Sequence, residues 1–380
     1  MGPTGQSRTL LLLLLAAAAA APEHESLLRL PSSARSLAPK TPRSAGADLI
    51  RALNLHPATD ALPAGTLIER LIRLASLVAR DDGGGGTSVS NLGHHAGYYR
   101  LPTTHDARLF YFFFESRQHK KEDPVVIWLT GGPGCSSELA LYKAYTDYEL
   151  DMGLITQSEF TKINKIVPAC EFAVKLCGTS GTVSCFAAYF VCNTIFSSIR
   201  LIIGNKNYYD VRKPCVGSLC YDFSNLEKFL NLKSVRQSLG VGDIEFVSCS
   251  PTVYQAMLLD WMRNLEVGIP ELLENDIKVL IYAGEYDLIC NWLGNSRWVD
   301  SMEWSGKKAF VSSVEKPFAV DGKEAGILKS HGPLSFLKVH DSGHMVPMDQ
   351  PKAALEMLKR WMSGNLSDAS PSSQRLDFAI

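Results

Sequence analysis

Three parts of the sequence could together carry out acyl-transfer chemistry. A glycine-rich run at residues 131–137 (GGPGCSS) offers backbone N–H groups that could stabilise an oxyanion. Asp287 and His344 offer a carboxylate and an imidazole, and in a catalytic triad the carboxylate orients the imidazole that takes the proton of the nucleophile. Aspartate before histidine is also the chain order that such triads follow in open α/β sheets. The sequence therefore predicts the acid–base part of a serine-hydrolase site.

The nucleophile of such a site is missing from the sequence. In this architecture the serine lies on a sharp strand-to-helix turn with the pattern Gly-x-Ser-x-Gly, and no serine of the chain has glycine at both positions. Ser180 and Ser238 each have glycine on one side only, and neither follows a predicted strand. Ser136 and Ser137 are expected to pack within the glycine-rich turn. We therefore expect a chain that is catalytically inactive or nearly so.

The residues with possible chemistry each follow a predicted strand. Apolar runs at residues 125–129 (VVIWL), 278–283 (KVLIYA) and 335–339 (SFLKV) lead to the glycine-rich run, to Asp287 and to His344 respectively. Short apolar runs bounded by glycine are typical of strands buried on both faces. Because functional groups collect at the carboxyl ends of the strands in an open α/β sheet, we expect all three to lie at one edge.

Other segments give weaker but definite predictions. The aromatic run at residues 108–115 (RLFYFFFE) predicts a strand, and Thr156 with Glu159 forms a capping box that opens a helix reaching Ile166. A final helix begins after Pro351. One face of it is predicted from helix spacing to carry four apolar residues, Ala354, Leu355, Leu358 and Trp361.

The first residues have the composition of a secretory signal peptide. Arg8 precedes an apolar run at residues 10–21, which is too short to span a bilayer and ends in small residues suited to cleavage. Apolar residues at helix spacing over 67–78, followed by a glycine run at 83–86, then predict a propeptide helix on a flexible linker. An ordinary N-terminal helix of the main domain is the alternative. We expect no other transmembrane segment and no membrane anchor.

The chain has nine cysteines, which in an oxidising lumen favour disulfides over metal ligands. Four of them are symmetrically spaced, which fits nested bridges, Cys170–Cys192 outside and Cys177–Cys185 inside. Cys215–Cys220 could close a tight loop. Sequence alone does not fix the connectivity, and an odd count leaves at least one thiol. We predict no metal and no cofactor.

Length and charge narrow the class of protein further. With 380 residues, of which 46% are hydrophobic and 20% charged, the chain can form one large domain or a domain with a helical insertion. The formal net charge of −1 favours neither nucleic acid nor an anionic membrane surface as a partner.

Three motifs resemble the serine carboxypeptidases, in particular plant enzymes of the vacuolar or secreted type. They are WLTGGPGCSSE at 128–138, AGEYDLICNWLGN at 283–295 and HDSGHMVPMDQP at 340–351, and the similarity extends from Tyr98 to Trp361. The resemblance implies an α/β-hydrolase fold with a disulfide-stapled helical insertion. It also implies release of C-terminal residues from a peptide substrate at acid pH.

The resemblance assigns roles to individual residues. Asp287 and His344 would be triad members, and Gly132 would donate a backbone N–H to the oxyanion. The substrate carboxylate would be bordered by Trp128, Thr130 and Gly131, where many relatives have asparagine at position 130. It further implies a Cys135–Cys249 bridge and a thiol at Cys290.

The chain departs from this family after the glycine-rich motif. Relatives continue through several βα units, whereas here residues 139–141 lead directly to Tyr142 and the helical insertion. At about 30 residues per βα unit, on the order of a hundred residues are missing. That segment would contain the Gly-Glu-Ser-Tyr-Ala-Gly turn with the nucleophile, the second oxyanion donor and the glutamate that binds the substrate carboxylate. The central sheet is therefore expected to be incomplete.

These observations predict the organisation and location of the protein. The expected segments are a signal peptide (1–21), a propeptide-like segment (22–82), the first part of the hydrolase domain (83–141), a helical insertion (142–225), the second part of that domain (226–363) and a loose tail (364–380). We expect an extracellular or vacuolar glycoprotein, with Asn365 in a glycosylation sequon. A secreted, non-catalytic peptide-binding protein is the alternative to an inactive enzyme relative.

Overall fold

The computed structural model describes residues 67–72, 94–100, 108–114, 123–129, 138–177, 182–217, 219–256, 258, 260–263 and 266–367. These residues belong to two compact units, one within 129–220 and 251–369 and the other within 47–128 and 221–250. The predicted signal peptide and most of the predicted propeptide-like segment lie outside the described residues, as does the tail after residue 367.

The smaller unit contains an antiparallel sheet of strands β1 (Leu67–Ile72), β2 (His94–Arg100) and β3 (Arg108–Phe114). Strand β3 confirms the strand predicted from the aromatic run. Strand β1 shows that the helix predicted there was wrong over residues 67–72. Its register with β2 runs from Leu67 opposite Tyr99 to Ile72 opposite His94. Six residues are too few to distinguish the helical period from the strand period. Pairing with β2 selected the strand, because it supplies the backbone hydrogen bonds.

The apolar run at residues 125–129 is not the buried strand that the sequence predicted. The structure gives it an irregular backbone, and the side chains of Val125 and Leu129 are 68% and 78% exposed. An apolar strand is buried on both faces only when neighbouring strands pair with it and helices cover the sheet. Among the described strands, none pairs with this run. It is therefore left as an exposed apolar segment.

The remaining elements of the smaller unit are helices α5 (Ser224–Leu230) and α6 (Lys233–Leu239). Ser238, which the sequence analysis rejected as a nucleophile, lies in α6, and its hydroxyl donates to the Ser234 carbonyl oxygen at 2.9 Å. A hydroxyl committed to its own helix does not serve an acyl-transfer site.

The larger unit begins with a helical cluster. It consists of α1 (Glu138–Asp151), α2 (Gln157–Asn164), α3 (Val167–Cys177) and α4 (Thr182–Ile203). The capping box of Thr156 and Glu159 is present, which confirms the predicted start of α2. The fully buried side chains of Tyr148, Ile195 and Ile199 belong to the core of this cluster.

Three disulfides form in the larger unit. Cys170–Cys192 and Cys177–Cys185 join α3 to α4 as a nested pair, with Cα atoms 4.8 and 4.4 Å apart. Cys215–Cys220 closes the loop after the hairpin of strands β4 (Lys206–Asn207) and β5 (Asp210–Pro214). The nested arrangement follows from the two antiparallel helices, which bring symmetrically spaced positions opposite each other.

Helix α4 corrects the expectation that the chain has no further segment long enough to span a membrane. Residues Val183–Ile203 are long and apolar enough to cross a membrane by length and composition, with a mean hydropathy of 1.6. The run also carries Cys185 and Cys192 of the nested disulfides. A core helix of a soluble protein passes the same length and composition test.

The second half of the larger unit is built on a four-stranded mixed sheet. Strands β6 (Val279–Gly284), β7 (Lys316–Val320), β8 (Lys323–His331) and β9 (Leu334–Val339) lie in the order β6-β9-β8-β7. Strands β6 and β9 are parallel, with Val279 opposite Leu334 and Gly284 opposite Val339. Both strand predictions are confirmed. Their carboxyl ends therefore meet at one edge, as the sequence analysis expected.

Helices complete this half of the unit. They are α7 (Pro251–Ala256), α8 (Ile269–Glu274), α9 (Trp292–Ser301), α10 (Lys307–Val311), α11 (Val346–Asp349) and α12 (Pro351–Ser363). Short 3₁₀ turns lie at Asp260–Met262 and Glu266–Gly268. The face of α12 differs from the prediction, because Ala353 and Met357 are buried while Leu355 is exposed. Met357 packs with Phe318 and Leu337, so the sheet selected the buried face.

Candidate functional site

The site is built where β6 and β9 end. The chain after β6 stays paired with the chain after β9, since the Glu285 N–H donates to the Val339 carbonyl oxygen at 2.9 Å. The Tyr286 N–H donates in turn to the Ser342 carbonyl oxygen at 2.8 Å. This pairing carries Asp287 and His344 past the sheet edge side by side. Nδ1 of His344 lies 2.8 Å from Oδ2 of Asp287, whose side chain is almost completely buried.

The carboxylate of Asp287 is held by the turn that contains it. The Cys290 N–H donates to Oδ1 of Asp287 at 3.2 Å, so both carboxylate oxygens accept a hydrogen bond. The turn is fixed by the Tyr208 carbonyl oxygen, which accepts from the N–H groups of Leu288 and Ile289 at 3.2 and 3.0 Å. A carboxylate fixed in this way sets the tautomer of the imidazole, with the proton on Nδ1 and the acceptor lone pair on Nε2.

His344 is positioned by the β4–β5 hairpin. Its backbone N–H donates to the Tyr209 carbonyl oxygen at 2.8 Å, and the two rings lie with centroids 5.1 Å apart. The imidazole side chain is 25% exposed, so small molecules can reach it.

Two glycines allow this close approach. A Cβ atom at Gly343 would collide with the Tyr209 carbonyl oxygen and would lie 2.7 Å from Cβ of Asp210. A Cβ atom at Gly284 would collide with the Gly343 carbonyl oxygen. At each glycine the nearest backbone atom would be closer to the new Cβ atom than real Cβ contacts allow. Neither position therefore has room for a side chain. The glycine before His344 therefore has a packing role in addition to its place in the motif.

An ion-pair network centred on the buried carboxylate of Asp210 supports the histidine loop. Asp210 is fully buried and accepts from Arg212 and Lys213, at 2.8 and 2.9 Å. Burial would raise the pKa of Asp210, but these hydrogen bonds and the Arg212 charge outweigh it and hold that pKa below its usual value. Lys213 also reaches Oδ1 of Asp349 at 2.8 Å, while Oδ2 of Asp349 accepts from the Gly343 N–H at 2.8 Å.

Glu285, two residues before Asp287, and Tyr148 also have shifted pKa values. Burial would raise the pKa of Glu285, but the Asp341 N–H and the charges of His340 and Lys338 lower it below the ordinary value. Tyr148 donates to the Glu285 carbonyl oxygen at 2.8 Å. Burial, aided by the Asp287 charge, raises the pKa of Tyr148 far above its ordinary value. The tyrosine is therefore a neutral hydrogen-bond donor beneath the site.

The structure adds a third side chain to the pair. The donor atoms of Asp287, Cys290 and His344 all lie within 4.8 Å of one another. Among the described residues this is the one group of three histidine, cysteine, aspartate or glutamate side chains close enough to share a metal ion. Sequence reasoning assigned Cys290 a thiol but no place at the site. Its position three residues after Asp287, in the same tight turn, was the available signal.

The other predicted site residues are not assembled here. Thr130, Gly131, Gly132 and Cys135 lie outside the described residues, and Trp128 is exposed in the irregular apolar run. Cys135 of the predicted Cys135–Cys249 bridge lies outside the described residues, so that pairing stays a prediction; Cys249 is an exposed thiol in the smaller unit. Asn365 is exposed at the end of α12.

The sheet edge with its paired carboxylate and imidazole defines the α/β-hydrolase class. The family described as serine carboxypeptidase matches residues 85–144 and 138–364, and this chain belongs to that family. A serine carboxypeptidase-like protein of Oryza sativa subsp. japonica is 59% identical over 423 residues, covering 78% of this chain and 99% of that protein. Serine carboxypeptidase 3 of the same species is 49% identical over 476 residues, covering 90% and 92%.

A solved structure has the same fold. The crystal structure of a prohormone-processing carboxypeptidase from Saccharomyces cerevisiae matches with a TM-score of 0.52 at 21% sequence identity. The match covers 62% of this chain, and it spans about half of that structure, 53% of its length.

Two features of these matches concern the length of the chain. The alignments of 423 and 476 positions are longer than the 380 residues available, so the relatives contain residues that have no counterpart here. The family match is also divided into two stretches, which meet at residues 138–144.

Proposed function

We propose that this chain is a serine carboxypeptidase relative that lacks the nucleophile segment and has little or no carboxypeptidase activity. One observation carries the proposal. The Asp287–His344 pair is assembled at 2.8 Å, yet the full sequence contains no Gly-x-Ser-x-Gly turn to present a hydroxyl to it.

Two features support the location of the missing segment. Sequence reasoning locates the junction between Leu141 and Tyr142, and the two family matches meet at residues 138–144. The exposed apolar run at 125–129 also fits the proposal, since the missing βα units would have supplied its neighbouring strands. Strand β6 pairs with β9 on one side only among the described strands.

The expected loss of activity is large. Removing the nucleophile of a triad costs about a millionfold in turnover, and the residual rate comes from the oxyanion hole and substrate binding. The missing segment would also hold the second oxyanion donor and the glutamate that binds the substrate carboxylate. We therefore propose that peptides, the substrates implied by the family, are not hydrolysed at a useful rate.

We also propose that the protein is made in the secretory pathway and is extracellular or vacuolar. Residues 1–21 would be the signal peptide, and Asn365 would be glycosylated because it is exposed within its sequon. Three disulfides support an oxidising compartment.

The test is direct. The disulfide-intact protein would be purified from a eukaryotic secretion host and assayed at pH 5 with N-blocked dipeptides and with a fluorophosphonate probe. Serine carboxypeptidase 3 of Oryza sativa subsp. japonica, prepared in parallel, is the positive control. We expect no dipeptide turnover and no labelled serine. Turnover that disappears in the variant His344→Ala, or one stoichiometric labelled serine, would overturn the proposal.

A further inference from the structure

Cys290 is held at the site by its own turn. Its backbone N–H donates to Oδ1 of Asp287 at 3.2 Å, and its carbonyl oxygen accepts from Nδ2 of Asn295 at 2.8 Å. The preceding carbonyl oxygen, of Ile289, accepts from the Tyr145 hydroxyl at 2.9 Å. The residue is half-buried and is not part of a disulfide. The backbone that carries its sulfur is therefore held by the same turn that fixes the carboxylate.

The sulfur lies beside an oriented base. Sγ of Cys290, a ring nitrogen of His344 and a carboxylate oxygen of Asp287 all lie within 4.8 Å of one another. The hydrogen bond to Asp287 at 2.8 Å fixes the imidazole. A thiol next to such an imidazole can transfer its proton to it, and the resulting thiolate is the reactive form of cysteine.

We propose that Cys290 is a nucleophile, activated by His344 and oriented by Asp287, which accepts acyl groups from activated esters. This activity goes beyond the proposed loss of serine chemistry, because it uses a residue that the missing segment does not contain. A thiolate is intrinsically more nucleophilic than a serine hydroxyl, so it does not require the strained turn that a serine needs.

The reaction has two balanced steps. The thiol proton moves to His344, and the sulfur attacks the ester carbonyl carbon. The S–C bond forms while the C–O bond to the alcohol breaks, and His344 returns the proton to the departing alkoxide. The product is a thioester on Cys290. Water then attacks the thioester with His344 as general base, which releases the carboxylic acid and restores the thiol.

The chain contains a matched control thiol. Cys249 is also outside any disulfide and is more exposed than Cys290. It lies in the smaller unit and does not belong to the histidine–aspartate group found in the described residues. If exposure alone decided reactivity, Cys249 would react faster. If the neighbouring imidazole decides it, Cys290 will react faster.

The experiment uses the full-length, disulfide-intact protein and p-nitrophenyl acetate, in buffer containing EDTA. Peptide mass mapping after rapid acid quench measures the acetyl group on each cysteine as a function of time. We expect an acetyl thioester on Cys290 that hydroxylamine removes, and slower acetylation of Cys249. The variant Cys290→Ser should remove the thioester, whereas Cys249→Ser should leave its rate of formation unchanged.

The role of the base is tested separately. His344→Gln should lower the acetylation rate of Cys290 about a hundredfold, as expected for loss of a general base. Asp287→Asn, which keeps the side-chain shape, is the second variant, and circular dichroism and disulfide mapping verify folding. Equal acetylation rates for Cys290 and Cys249, or an unchanged rate in His344→Gln, would overturn the inference. Fluorophosphonate labels only an activated serine, so its result concerns the proposed function and not this inference.

Discussion

Nδ1 of His344 lies 2.8 Å from Oδ2 of Asp287 across a separation of 57 residues. The contact exists because the parallel strands β6 and β9 end at the same edge and remain paired for several residues beyond it. We propose that this contact is the acid–base part of an acyl-transfer site, retained in the larger unit. The full sequence contains no Gly-x-Ser-x-Gly turn, so in this proposal the missing part is the serine nucleophile.

Restoring the missing segment should restore catalysis. The insertion would take the corresponding residues of serine carboxypeptidase 3 of Oryza sativa and place them between Leu141 and Tyr142. We expect this variant to have carboxypeptidase turnover, because Asp287 and His344 are already oriented for it. The measurement is release of the C-terminal residue from N-blocked dipeptides. The control carries the same insertion with its elbow serine changed to alanine, and it should be inactive. An active control, or an inactive insertion variant that folds, would show that the nucleophile is not the missing part.

The glycine before His344 should be sensitive to substitution. In Gly343→Ala the new Cβ would collide with the Tyr209 carbonyl oxygen and approach Asp210, so the histidine loop must shift. We expect a loss of about 1–3 kcal/mol in the free energy of unfolding, the usual cost of overpacking. Gly268→Ala is the matched control, since a Cβ atom there meets nothing within 4 Å. Urea unfolding measures both variants, and equal midpoints would contradict the packing role.

The buried carboxyl of Glu149 should make the protein less stable as the pH rises. Neither carboxyl oxygen has a hydrogen-bond partner among the described residues, and burial, opposed by the Lys206 charge, raises the pKa of Glu149 to about 8. The folded state therefore keeps a proton that the unfolded state loses above its pKa of 4.5. The contribution of Glu149 to stability is therefore fully present below pH 4.5 and is lost as the pH rises towards 8.

The variant Glu149→Gln tests this dependence. It should flatten the fall in stability between pH 4.5 and pH 7, a difference of about 3 kcal/mol. Urea unfolding at the two pH values provides the measurement. Asp151→Asn, at the exposed end of the same helix, is the control and should retain the dependence. Parallel pH curves for the original protein and Glu149→Gln would contradict the prediction.

The three disulfides should differ in their contribution to stability. Their sequence separations are 22 residues for Cys170–Cys192, 8 for Cys177–Cys185 and 5 for Cys215–Cys220. The loop entropy of the unfolded chain then predicts losses of about 3, 2.5 and 2 kcal/mol when each pair is changed to serine. Guanidinium unfolding of the three double variants checks the order. A larger loss for Cys215–Cys220 than for Cys170–Cys192 would show that loop length does not govern it.

Features that depend on local spacing and composition could be predicted from the residues alone. The sequence predicted strand β3, the capping box of Thr156, the strands before Asp287 and His344, and their meeting at one edge. Each of these features depends on a short stretch of residues or on the general rule that parallel strands end at the same edge of a sheet. The absence of a Gly-x-Ser-x-Gly turn is likewise a property of the sequence alone.

The tertiary structure decided what depends on partners distant in the chain. Residues 67–72 became a strand because β2 pairs with them, and residues 125–129 did not because no described strand does. The buried face of α12 was set by Phe318 and Leu337 of the sheet. Cys290 joined Asp287 and His344 through a turn whose geometry the hairpin carbonyl of Tyr208 fixes. Strand pairing, burial and turn geometry depend on contact energies between residues that are remote in the chain. No local pattern of residues predicts them.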